Sequence, residues 1–156
     1  MTNMTSMTAV TEIDGVTITS LREIADERGA VLHMLRADAP DFVRFGECYF
    51  SEVVPGAVKA WKQHRAQTQN LAVPSGRIRL AIFDDRPDSP SRGRSQVIEL
   101  GRPDAYARIR IPPGLWYGFA GISETTALVV NCPDLPHDPS DSVVRPATDD
   151  GFPNCW

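Results

Sequence analysis

After residue 30, turn signals recur so closely in this chain that no long helix fits between them. Pro55-Gly56, Ser75-Gly76, the loop "RPDSPSRGR" and Pro112-Pro113-Gly114 each stop a short apolar or alternating run. Glycine reaches backbone conformations that other residues resist, and proline cannot donate to a strand ladder, so these signals mark chain reversals. The runs between them read as strands: "AVLHMLRAD", "FGECYFSEVV", "AVKAWKQH", "QNLAVPSG", "RIRLAIFDD", "SQVIELG", "ARIRIPPG" and "TTALVVNCP". Arg77-Ile78-Arg79-Leu80 alternates with the period of a sheet that has one buried face. Short strands at close spacing predict an all-β sandwich or barrel, and 156 residues suit one domain around one core. A jelly roll fits the length. An immunoglobulin-like sandwich is the alternative on pattern alone, but no Cys…Trp…Cys layout supports it.

The remaining segments are less regular. "SLREIADERG" (Ser20–Gly29) offers a helical turn, with Ser20 as cap, Glu23 three residues on and Gly29 as a stop; an irregular loop fits equally. Residues 1–12 are polar and expected to be flexible, with neither a signal peptide's charged start nor its apolar core. No apolar run reaches the length of a membrane span. Residues 133–156 are rich in Pro and Asp and are expected to lie as a tail over the barrel.

Cys48, Cys132 and Cys155 are odd in number and lack C-x-x-C spacing, so neither a disulfide framework nor a zinc site is indicated, and the expected compartment is the cytoplasm. A net charge of −4 argues against a general nucleic-acid surface. Positive charge is local instead, at Arg77, Arg79, Arg92, Arg94, Arg108 and Arg110. These arginines read either as solvated outward positions or as the lining of a pocket for an anionic ligand. Arg86, after Asp84-Asp85, reads as a structural ion pair.

The stretch "GAVKAWKQHRAQTQNLAVPSG" carries the site candidates. Strand alternation sends Lys62 and His64 to one face and Lys59 and Trp61 to the other. Only a bulge would bring Lys59 to the Lys62 face. Alternation alone leaves open whether Trp61 or the Lys62/His64 pair points inward.

This stretch, from Gly56 to Gly76, and the later "PPGLWYGF" resemble the paired signatures of the cupin superfamily, with Lys62, His64, Gln69 and Tyr117 at its four ligand positions. "DERG", "FDDRPDSPSRG", "IRIPPGLWYGF" and "NCPDLPHDP" narrow the resemblance to the RmlC-like dTDP-4-dehydrorhamnose 3,5-epimerases over roughly residues 13–156. The resemblance implies a double-stranded β-helix, the cupin jelly roll, and places Lys62 and His64 inside with Gln67 and Gln69 nearby. It also implies metal-free proton transfer beside a ketone, with no cofactor, in a homodimer built through the N-terminal region. Only His64 of the four positions is a good metal ligand, since an ammonium repels a divalent cation and Gln and Tyr bind it poorly.

Carried over by position, the family's "RGLH" falls on "KAWK", making its catalytic His Lys62 and its first basic residue Lys59. The enolate-stabilising Lys falls near Asn70 and the acid Tyr near Val130, while a phosphate-contacting Arg is kept as Arg28. The resulting expectation is an enzyme acting on a nucleotide-activated 4-keto deoxysugar. Lys62, His64 and Tyr117 would be catalytic; Arg28, Lys59, Gln69, Asn70, Arg79 and Asn131 would bind substrate, with His137 also within reach of the pocket mouth. The alternative is a cupin that binds an anionic sugar or small acid through Lys62, His64 and Arg79 without epimerase chemistry. A metal-dependent isomerase or dioxygenase is a third option. No nucleic-acid or membrane partner is expected.

Overall fold

Alternation along "RIRLAIF" puts Ile78, Leu80 and Ile82 on one side of a strand, and all three are completely buried. This strand, β8 (Arg77–Phe83), lies in the second of two facing antiparallel sheets in the computed structural model, which describes residues 8–156. The first sheet is ordered β1 (Thr8–Val10), β2 (Thr17–Ser20), β10 (Ala107–Ile111), β7 (Gln69–Ser75), β12 (Ala127–Asn131) and β5 (Tyr49–Val53). The second runs β13 (Ser142–Val144), β6 (Val58–His64), β11 (Trp116–Gly121), β8 and β9 (Ser95–Gly101). The chain is all-β, in the jelly-roll architecture expected. Ile78, Leu80 and Ile82 meet Leu71, Val73, Ile109, Ile111 and Val129 of the first sheet in one apolar core.

The segment Ser20–Gly29 forms no helical turn. β3 (Glu23–Asp26) and β4 (Gly29–Leu32) make a separate two-stranded hairpin in which Ile24 faces Val31. The Asp26 carboxylate accepts from the Arg28 backbone N–H at 2.8 Å and closes the turn. This local bond competes successfully with helix formation. "AVLHMLRAD" gives a strand only as far as Leu32, and residues 33–48 are irregular. Thr8–Val10 of the opening segment forms β1 against β2; the rest of that expectation, residues 1–7, lies outside the described residues.

The C-terminal tail covers the outer face of the second sheet. Its strand β13 extends that sheet along β6, and Phe152, Cys155 and Trp156 pack on Trp61, Ala81 and Trp116. Trp61 is fully buried there, stacked on Phe152 with ring centroids 5.2 Å apart. Trp116 meets the same ring edge-on at 5.0 Å. These indoles are a second core, on the side of the sheet away from the first.

The pairing of β6 with β11 is irregular at one point. Tyr117 faces Lys62 and Phe119 faces Lys59, so Gly118 alone stands opposite both Ala60 and Trp61. This β-bulge reverses the alternation between Lys59 and Lys62 and turns both lysines to the inner face while Trp61 points outward. A side chain at residue 118 would collide with Ala60, since a Cβ there would lie 2.4 Å from the Ala60 Cβ. Glycine is therefore built into the bulge.

Candidate active site

Between the two sheets, at one end of the barrel, lies a cavity of about 300 Å³. The second sheet contributes a cationic wall of Lys59 and Lys62 with the Tyr117 and Phe119 rings. The first contributes Tyr49 and Ser51 from β5 and Asn131 from β12, with Leu71 and Val129 as an apolar floor. Lys59 reaches across to donate to the Ser51 hydroxyl at 3.0 Å. Lys62 makes no ion pair or hydrogen bond among the described residues, and its ammonium stands free beside the cavity.

Beneath this mouth runs a chain of buried amides. Asn131 Oδ1 accepts from the Asn70 backbone N–H at 3.1 Å, so its Nδ2 must donate, to Gln69 Oε1 at 2.6 Å and the Tyr49 hydroxyl at 2.9 Å. Gln69 Nε2 then donates to Gln67 Oε1 at 2.7 Å and to His64 Nδ1 at 3.2 Å. Gln67 ends the chain by donating to the Leu135 carbonyl at 2.7 Å. Two backbone groups of fixed polarity anchor the chain, and every amide orientation follows from them. Nδ1 of His64 is thus an acceptor, and the neutral ring carries its proton on Nε2. Burial, followed by the nearby Lys62 charge, lowers the His64 pKa to about 4. The ring lies against Tyr117 at 5.9 Å between centroids. Burial keeps the Tyr117 hydroxyl protonated far above neutral pH, with Tyr49 adding to the shift, and burial raises Tyr49 as well. Both phenols can donate a proton here, and neither is poised to accept one.

The expected site residues separate into three groups. Lys59, Lys62, Tyr117 and Asn131 line the cavity, while His64 and Gln69 lie in the amide chain behind it. Placing Lys59 beside Lys62 corrects the expectation of a regular strand. Asn70, Arg79 and Arg28 stand elsewhere. Asn70 faces the back of the first sheet, where its side chain binds Arg108 and the Cys132 carbonyl. Arg79 faces the back of the second sheet, near Cys155. Arg28 projects from the β3–β4 hairpin, its side chain 83% exposed and paired with Asp26. His137 is exposed and does not line the cavity.

None of the six strand and loop arginines lines the cavity. Arg108, only 3% exposed, is held by both carboxylate oxygens of Asp41. Arg86 pairs with Asp84 as a structural bridge; burial opposes ionisation of that carboxyl, but bonds from Arg86, Ser89 and Ser91 hold it well below the usual carboxylate range. Tyr49 and Ser51 were not anticipated as site residues. The alternation Tyr49/Ser51/Val53 was the available signal, blurred by exposed Phe50 beside it. Among the described residues no three His, Cys, Asp or Glu side chains converge as metal ligands, and no helix is long and apolar enough to cross a membrane.

A family profile described as dTDP-4-dehydrorhamnose 3,5-epimerase matches residues 10–151. The chain belongs to this epimerase family. A probable low-salt glycan biosynthesis epimerase of Haloferax volcanii is 34% identical over 131 residues, with 83% of each chain covered. The spore coat polysaccharide biosynthesis protein SpsL of Bacillus subtilis is 28% identical, with 81% of this chain and 83% of that one covered. The crystal structure of a dTDP sugar isomerase from Desulfovibrio desulfuricans superposes with a TM-score of 0.86 at 50% identity, covering 88% of each chain. The epimerase from Bacillus anthracis, solved with TDP and pyrophosphate, has the same fold, with a TM-score of 0.86 at 19% identity over 97% of this chain and 90% of that one. The family match and these superpositions agree with the jelly-roll fold.

Proposed function

We propose that this protein is a metal-independent epimerase or isomerase that moves a proton beside the ketone of a nucleotide-activated 4-keto deoxysugar. The observation carrying the proposal is the opposition of two walls: Lys59 and Lys62 on one sheet, Tyr49 and Asn131 on the other. A C–H beside a ketone becomes acidic only when a cation or donor meets the developing oxyanion. Inverting the carbon requires proton removal on one face and delivery on the other. Lys62, in its neutral amine form, takes the proton from its wall and becomes an ammonium, while the Lys59 ammonium meets the negative oxygen. Tyr49, across the cavity and oriented by Asn131, returns a proton to the opposite face. Tyr117 is the β-ladder partner of Lys62 and shares its wall, which suits it to substrate orientation better than to delivery from across the ring. His64 presents Nε2–H as a neutral donor, because its one basic nitrogen is occupied by Gln69.

The family names and the cation pair support a nucleotide diphosphate as the activating group. The family resemblance also supports a homodimer. Arg28 is not among the residues lining this chain's own cavity, and its hairpin exposes Ile24 and Val31, which suits a contact with a second copy.

The test is incubation of purified protein with a dTDP-4-keto-6-deoxysugar in deuterated water, followed by NMR at the carbons flanking the ketone. Deuterium wash-in that is lost in Lys62→Met supports the reading. Ligand binding without wash-in would overturn the enzymatic reading in favour of a binding protein for an anionic sugar, an alternative favoured by the absence of any carboxylate from the cavity lining among the described residues.

A further inference from the structure

We propose that Cys48 and Cys132 are a reversible redox pair that closes to a cross-strand disulfide at the back of the cavity wall. The sequence separates them widely, but the β5–β12 register brings them together. Asn131 faces Tyr49, and the pairing continues past the strand ends, where the Glu47 N–H reaches the Pro133 carbonyl at 3.3 Å and the Gly46 N–H reaches it at 3.0 Å. The approach there is so tight that a Cβ on Gly46 would lie 2.3 Å from the Leu135 backbone nitrogen. Cys48 is therefore the direct ladder partner of Cys132.

Their position is also of the closer kind. The Cys132 N–H points away from β5, to the Asn70 carbonyl at 3.0 Å. Cys48 and Cys132 thus form a non-hydrogen-bonded pair, the type in which Cα atoms approach to about 4.5 Å. That spacing lies within the range a disulfide spans. The two thiols lie near enough for Cys48 to shift the ionisation of Cys132. Because Tyr49 and Asn131 point into the cavity, their neighbours Cys48 and Cys132 share the opposite face of the sheet, beside Arg108.

The two thiols differ in access. Cys48 is exposed and Cys132 is partly covered. Burial pushes the Cys132 thiol up to about 12, the contact with Cys48 adding to this and Arg108 opposing it. Exchange with a low-molecular-weight disulfide therefore begins at Cys48. Its thiolate attacks one sulfur of the oxidant, forming a mixed disulfide and releasing one small thiolate. Cys132 then gives up its proton and attacks the Cys48 sulfur, releasing the second small thiolate. Two protein thiols are oxidised to one disulfide, and the small disulfide is reduced to two thiols.

The full chain treated with oxidised glutathione tests this. The expected product has lost two hydrogen atoms, yields a linked peptide pair containing Cys48 and Cys132, and leaves Cys155 free to alkylate. Its melting temperature should rise by roughly 5–15 °C and return on addition of a dithiol. Cys132→Ser should stop at the glutathione adduct on Cys48 without the rise. Wild-type protein that keeps both thiols alkylatable, stops at the adduct or links through Cys155 would overturn the proposal. Mass and melting read the pair directly, so the result does not depend on the sugar chemistry.

Discussion

Lowering the pH should destabilise this protein through His64 before its carboxylates contribute, and the size of the effect follows from the site. The folded-state pKa is about 4 against an ordinary 6.5. The unfolded chain therefore binds a proton that the folded chain refuses throughout the interval between those values. The protein loses stability as pH falls below the unfolded value, and the loss levels off below the folded one. Linkage gives a cost of about 2 kcal/mol near pH 5 and about 3 kcal/mol near pH 4, at 1.36 kcal/mol per unit. The hydrogen-bond network explains why the ring resists. Protonation at Nδ1 would point an N–H at the Gln69 amide N–H, which the anchored chain cannot turn away. The assay is urea unfolding of wild type and His64→Gln at intervals from about pH 7.5 to 4.5. Asp41 and Asp84, both held below the ordinary carboxylate range, contribute equally to the two proteins and lose their effect only at lower pH. The difference in unfolding free energy between the proteins should shift by about 2 kcal/mol between neutral pH and pH 5, against wild type. Parallel curves would refute both the neutral His64 and the amide orientation that fixes its tautomer.

Other perturbations probe the rest of the framework. Lys62→Met should lower turnover of a 4-keto sugar nucleotide by roughly 10²–10³-fold while leaving thermal unfolding nearly unchanged, because the side chain is exposed and makes no hydrogen bond or ion pair among the described residues. Tyr49→Phe should reduce deuterium delivery to one face of the carbon more than binding of the nucleotide, a separation readable by comparing NMR wash-in with calorimetric affinity. Trp61→Ala should destabilise by about 3–5 kcal/mol and expose the 145–156 segment to limited proteolysis, since Phe152 and Trp156 both pack on that indole. Gly118→Ala should melt lower than Gly151→Ala, because a Cβ on Gly118 meets the Ala60 side chain and backbone whereas one on Gly151 meets only the end of the Asp149 side chain; relative melting temperatures decide it.

Strands β5 to β10 and β12 were readable because turn dipeptides isolate them and because Ile78, Leu80 and Ile82 carry an unbroken alternation; β11, buried along its whole length, carries no alternation to mark it. Other features escaped the sequence for physical reasons of their own. The hairpin β3–β4 has no buried face to write a pattern into the sequence, and its turn depends on one side-chain bond from Asp26. Lys59 was assigned to the wrong face because a bulge is a property of two strands, and its cause, Gly118, lies far along the chain in the partner. Asn70 and Arg79 were drawn to the site by position in a motif and by charge. Parity against Leu71 and Leu80, both fully inward, would have sent them to the backs of their sheets. The family resemblance points to the neighbourhood of Val130 for a tyrosine, whereas the phenol at the cavity comes from the adjacent strand β5, where Tyr49 faces Asn131.

The bulge in β6 changes how the chain must be compared with its relatives. In an unbroken ladder, two side chains on one face are separated by an even number of positions, yet Lys59 and Lys62 share a face at a separation of three. The extra residue acts like a reading-frame shift confined to one strand. Everything before it follows one phase, and everything after it the other. A relative that lacks it must either move one cation or lose it to the outside, even where both lysines align letter for letter.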